Sequence, residues 1–135
     1  MSVMWQPAAV EPVDVVLRAT GFLRSALPAG VYVGDVRPTE ATSPYPAHIV
    51  TLRRDGGPTG VLDRPRVGVN VWGPQRKAAR DLAAQVTGLL LGWPAMLTGD
   101  SPVSVECVFS PSLVPDDGPH FYATFSMVFT AVTAV

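Results

Sequence analysis

The chain has 135 residues, 47% of them hydrophobic and 16% charged, with a formal net charge of −1. That is enough chain for one domain, too apolar for a disordered segment, and without the basic excess of a dedicated nucleic-acid binder. Fourteen prolines and twelve glycines punctuate it, and because proline fixes φ and lacks a backbone donor, its positions bound the elements from outside.

Pro12 occupies a favourable first helical position, with Glu11 and Asp14 near the positive helix end. Val13, Val16, Leu17, Thr20, Leu23 and Leu27 recur at three- and four-residue steps, so the window 13–27 predicts a helix that Pro28 stops. Gly21 in its middle costs about 1 kcal/mol relative to alanine. Val31, Tyr32, Val33 and Val36 make a short strand, and His48 to Arg53 a second that ends in the turn Asp55-Gly56-Gly57. A third, Arg66 to Trp72, alternates cleanly and puts Val67, Val69 and Val71 on one buried face. The stretch from Arg53 to Arg66 is then a hairpin connection of more than the usual length.

Gly73-Pro74 opens a second helix, and Gly92 can supply the left-handed residue that closes it. Its apolar stripe is Ala79, Leu82, Ala83, Val86, Leu89 and Leu90, with Arg76, Lys77, Arg80, Asp81 and Gln85 off the stripe. In Val103 to Phe109 the odd positions are apolar, which places Cys107 in the core as a small hydrophobe rather than a reactive thiol. After a Pro111–Pro119 loop, Phe121, Ala123, Phe125, Met127, Phe129 and Ala131 line one face of a final strand. At about 3.3 Å per residue, residues 120 to 132 span roughly 40 Å, more than so small a domain is expected to pair along its whole length. The class is α+β: a mainly antiparallel sheet of about five strands with two helices packed on it, in the order α-β-β-β-α-β-β. No linker divides the chain, so residues 1–135 form a single domain with a structured core at 10–133 and an N-terminal arm at 1–9.

No apolar run approaches the ~20 residues of a bilayer span, and the start lacks the basic flank of a secretory signal, so the chain reads as soluble and cytosolic. One cysteine makes no internal disulfide, and with only His48 and His120 beside it no zinc spacing arises; neither metal nor cofactor is expected. There is no Gly-x-Ser-x-Gly and no phosphate-binding loop. Gly56-Gly57-Pro58-Thr59-Gly60 lies in a strand connection and reads as a mobile turn. In Asp116-Asp117-Gly118-Pro119-His120 a carboxylate could orient an imidazole, although Asp-Asp-Gly is equally a turn composition and a third partner is missing. A small enzyme or ligand-binding domain using Asp117 and His120 is therefore the alternative from another class.

Charge distribution says more. All ten basic residues precede Leu82, whereas Asp100, Glu106, Asp116 and Asp117 follow it with no cation among them. Arg53, Arg54, Arg64, Arg66, Arg76, Lys77 and Arg80 gather around one hairpin and one helix start. Cations in a helix's first turn oppose its dipole by about 0.3–1 kcal/mol each, so a compensating anion is expected: a neighbouring Asp63 or Asp81, or an acidic patch on another subunit. Unlike patches on one chain suit head-to-tail association, and a closing rotation makes a ring. An overhanging final strand would need a partner as well. The pattern favours an assembly protein over an enzyme, with Arg53, Arg54, Arg64, Arg66, Arg76, Lys77, Arg80, Asp116 and Asp117 as the interface residues.

A helix opening as Pro12-Val13-Asp14-Val15-Val16-Leu17, a strand 67–72 running into Lys77-Ala78-Ala79-Arg80-Asp81-Leu82-Ala83, and a final His120-Phe121-Tyr122-Ala123-Thr124-Phe125 strand after a Pro/Asp/Gly loop resemble the tail terminator proteins of long-tailed bacteriophages. The resemblance covers roughly residues 10 to 133 and rests on element order and spacing. It implies a hexameric ring on the end of the finished tail tube, which stops tube polymerisation and presents the surface that joins the head. The implied partners are further copies of the chain, the tail tube protein and a neck protein, with DNA meeting the lumen only in transit. The implied location is the head-proximal end of the tail in the virion, after assembly in the host cytoplasm. Tube subunits and some neck proteins share the fold, so either is an alternative within the class. The family offers no catalytic residue, metal or cofactor to carry over. In this picture the sheets line a pore, and the hairpin from Arg53 to Arg66 contacts the ring neighbour, tube or neck, where arginine's planar fork suits carboxylates.

Overall fold

The computed structural model describes residues 14–39, 42–57, 62–99, 101–114 and 121–132. Asp14 starts the first helix, α1 (Val15–Ala26), by accepting a hydrogen bond from the Leu17 amide at 2.9 Å, which satisfies one of the donors a helix start leaves unpaired. Asp14→Ala is expected to lower stability by about 1 kcal/mol, and Asp14→Ser, which keeps a capping oxygen, by a few tenths; thermal unfolding of both variants checks this. At the other end the Leu27 amide bonds back to the Leu23 carbonyl at 2.8 Å before Pro28 stops the helix. The buried stripe is Val15, Ala19, Thr20 and Leu23, turned from the expected one: Leu17 is 65% exposed. Ala19, wholly buried, lets the helix axis approach the sheet closely, and the Thr20 hydroxyl is satisfied by the Val16 carbonyl at 2.7 Å.

The remaining elements are β1 (Val31–Gly34), β2 (His48–Arg54), β3 (Leu62–Asp63), β4 (Arg66–Gly73), α2 (Arg76–Gly92), a 3₁₀ turn (Trp93–Met96), β5 (Ser104–Val114) and β6 (Phe121–Val132). This is the expected α+β order with a two-residue strand, β3, added inside the hairpin connection. Val36 lies beyond β1 and is 64% exposed. Gly92 is right-handed, and the left-handed residue that ends the α2 region is instead Leu97, at φ 53°. Gly73 is required where β4 turns into α2: a Cβ there would lie 2.7 Å from the Ala79 nitrogen.

β1 pairs parallel with β2; every other pair is antiparallel. Across the sheet the order is β1, β2, β4, β6, β5, with β3 continuing the line of β4 along β6. From Leu62 opposite Val132 to Gly73 opposite Phe121 the register is unbroken. Pro65, which has no N–H to donate, separates the two pieces, while its carbonyl still accepts from the Phe129 amide at 3.1 Å. On the other flank β5 pairs with β6 from Ser104 opposite Thr130 to Val114 opposite Tyr122.

The long final strand is thus partnered on one side along its described length and on the other from Tyr122 to Thr130, so the expected overhang shrinks to Phe121, Ala131 and Val132 on the β5 side. Two unforeseen features cover the rest. The hairpin connection returns as β3, and β5 extends past 109 through Pro111, which falls in a register shift between Phe109 and Ser112. Edge strands tolerate proline at such irregularities. Cys107, expected in the core, is exposed. It sits on the edge strand beside a first register shift, between Cys107 and Phe109, where strict alternation breaks down.

Both helices pack on the same sheet face. The core joins Val15, Ala19 and Leu23 of α1 and Leu82, Ala83, Val86 and Leu90 of α2 to Val50, Leu52, Val67, Val69, Val71, Phe125, Met127 and Phe129 of the sheet. Trp93 closes one end, stacked on Phe22 at 4.8 Å and edge-on to Phe129 at 6.2 Å.

Candidate subunit interface

With both helices on one side, the opposite face of the sheet carries no helix among the described residues. Its half-buried positions on β4 and β6 are Arg66, Gly68, Asn70, Tyr122, Thr124, Ser126, Val128 and Thr130, mostly short and polar. The Asn70 Oδ1 accepts hydrogen bonds from the Tyr122 hydroxyl at 2.7 Å and the Thr124 hydroxyl at 2.9 Å, so this surface is tied down sideways along the rows. One end of it is covered by a stack: Arg37 lies 5.0 Å over Trp72, which stacks on Tyr122 at 4.9 Å.

Both outer strands carry features that hinder the addition of a further strand. On β1 the Val33 carbonyl accepts from the Arg24 Nε at 3.0 Å, and the Val31 amide donates to the Pro28 carbonyl at 3.0 Å. On β5 the two register shifts and Pro111 interrupt any regular ladder.

The two hairpin arginines that adjoin in sequence have different fates. Arg54 grips Asp63 with both guanidinium nitrogens, at 3.0 and 2.9 Å, and also reaches the Gly57 carbonyl at 3.3 Å. Asp63 is wholly buried and Arg54 about one-third exposed, so Arg54 fastens the hairpin from within, through the neighbouring Asp63 that the sequence offers as one of its compensating anions. Arg53 bonds Asp55 at 3.2 Å with most of its side chain in solvent. The Asp55 carboxylate lies over Gly68, where a Cβ would strike it. Gly57, at φ 99°, passes so close to the Arg64 carbonyl that no side chain fits.

Arg64 is exposed and Arg66 half-buried on the helix-free face. Arg76, Lys77 and Arg80 are exposed on the first turns of α2, where Lys77 pairs with Asp81 at 2.9 Å. Gln75 provides no side-chain cap, and no acidic residue lies in the first turn. The cations therefore split into two groups at opposite ends of β4; from Arg66 to Gly73 the strand spans roughly 23 Å at about 3.3 Å per residue. Asp100, Asp116, Asp117 and His120 lie outside the described residues, and with them the expected acid–base pair and all of the expected acidic set except Glu106, which is exposed on β5.

Two hollows flank α1. One, of about 540 Å³, lies between the start of α1 and the hairpin and is lined by Asp14, Val16, Asp35, Leu52 and Pro65 together with Arg53 and Arg54. The other, of about 510 Å³, runs along Leu17, Gly21, Phe22, Trp93 and Met96. Sequence reasoning missed Asp35, absorbed into a strand taken to reach Val36. Among the described residues no cluster of His, Cys, Asp and Glu could hold a metal ion, and no helix is long and apolar enough to cross a membrane. No protein-family model matches the chain, and no curated protein matches it.

Proposed function

We propose that this chain is a structural subunit of a long-tailed bacteriophage, a tail terminator that forms a ring on the tail tube, stops its polymerisation and offers the surface that joins the head. It catalyses no reaction. Its partners are its own copies in a hexameric ring, the tube protein and a neck protein, and its place is the head-proximal end of the virion tail. The observation that carries this reading is the sheet face that no described helix covers: its β4 and β6 rows hold Gly68, Asn70, Tyr122, Thr124, Ser126, Val128 and Thr130 with Arg66 as the formal cation of those two rows, while Trp72 under Arg37 and the β2 residue Arg53 lie at its margins. A channel wall past which a polyanion must slide calls for such a surface. Each phosphate neutralised by a lysine or arginine strengthens binding through counterion release, and strong binding would hold DNA in the lumen. The element order supports the same reading.

The test is to add the purified protein to polymerising tube subunits of the same phage and to image the product by electron microscopy. Tubes that stop growing and carry one ring of density at an end are the expected result. Tubes that elongate unaffected overturn the terminator role, and a chain that itself polymerises into long tubes is a tube subunit.

A further inference from the structure

A ring of identical subunits needs two unlike surfaces on opposite sides of each copy. The inference drawn here deepens the ring reading above and rests on it. With β1 partly engaged by its own chain and β5 interrupted by two register shifts, contacts between side chains suit the ring better than an added strand.

The two ends of β4 supply such a pair. At the Gly73 end, Arg76 and Arg80 stand exposed at the start of α2 and have no hydrogen bond or ion pair among the described residues. Their helix end has neither a side-chain cap nor an acid in its first turn to offset them. At the Arg66 end lies the 540 Å³ hollow. Its own arginines are already engaged, Arg53 by Asp55 and Arg54 by the buried Asp63. The carboxylates left over are Asp14, which gives one oxygen to the Leu17 amide, and Asp35, which is exposed and has no partner among the described residues. Val16, Leu52 and Pro65 form apolar walls. An arginine fits both parts of such a site, laying its aliphatic stem on the walls and its fork on a carboxylate.

We propose that Arg76 and Arg80 of one copy dock head to tail into the Asp14–Asp35 hollow of the next. The contact neutralises the cations that oppose the α2 dipole and gives Asp35 a partner, so each half explains what the other leaves unbalanced. Because such a contact is electrostatic, added salt weakens the ring.

The experiment is charge reversal, read by native mass spectrometry and sedimentation of the full chain. Asp35→Arg, and separately Arg80→Asp, are each expected to weaken association by about 100-fold, since like charges brought together at an interface cost several kcal/mol. Neither residue has a partner among the described residues, so the unfolding temperature of each variant is expected to stay at the wild-type value, which separates lost assembly from lost folding. The double variant Asp35→Arg/Arg80→Asp is expected to recover about tenfold or more of the lost association. A wild-type ring that survives both single reversals, or a double variant as weak as either single one, overturns this interface and leaves the ring reading standing. A wild-type chain that stays monomeric overturns the ring reading itself.

Discussion

Trp93→Ala is expected to destabilise the fold by about 3–5 kcal/mol, a fall in Tm of roughly 10–15 °C for a domain of this size. Trp93 is 2% exposed and joins three elements at once, following α2 directly, stacking on Phe22 of α1 and meeting Phe129 of β6 edge-on. Truncation removes the aromatic contacts as well as the buried area. The 510 Å³ groove beside it, lined by Leu17, Phe22 and Met96, lets solvent reach the vacated space, which favours the lower half of the range. Trp93→Phe keeps a ring against Phe22 and should lose much less. Urea denaturation checks both, with a shifted midpoint and an unchanged slope as the signature of lost stability without a changed fold.

Arg54→Ala should cost about 3 kcal/mol, near the lower end for breaking a buried ion pair, because Arg54 keeps one-third of its side chain in water while Asp63 has none of it exposed. The penalty comes from the carboxylate left behind. Replacing both partners by apolar residues of similar volume, Arg54→Met with Asp63→Leu, is therefore expected to recover most of the loss. The Arg54–Asp63 pair fastens β3, and β3 in turn pairs with Ala131 and Val132 at the end of β6, so amide exchange in Arg54→Ala should speed up there before it does in β4. Arg53→Ala, one residue away, removes an exposed pair and should change stability by less than about 0.5 kcal/mol.

That contrast marks what the sequence can and cannot disclose. Val67, Val69 and Val71 alternate without interruption, and α2 carries one unambiguous stripe, so local periodicity located both. For α1 the expected and observed stripes share Thr20, Leu23 and Leu27, and what periodicity left open is that the small Ala19 is buried while Leu17 is 65% exposed. β3 is too short to have a period, and the run of β5 through Pro111 depends on register shifts that only its pairing with β6 reveals. Arg53 and Arg54 are equivalent as letters; the position of Asp63 on β3 makes one of them internal. The charge asymmetry along the chain was visible, but only the topology shows that its cations divide between the two ends of β4, with Asp35 near one of them.

The proposed function requires that this domain work as a ring. Native mass spectrometry of the purified full chain at micromolar concentration tests it most directly. One closed oligomer of fixed size, six copies, that loosens as ionic strength rises is the expected result. A monomer under those conditions would contradict it.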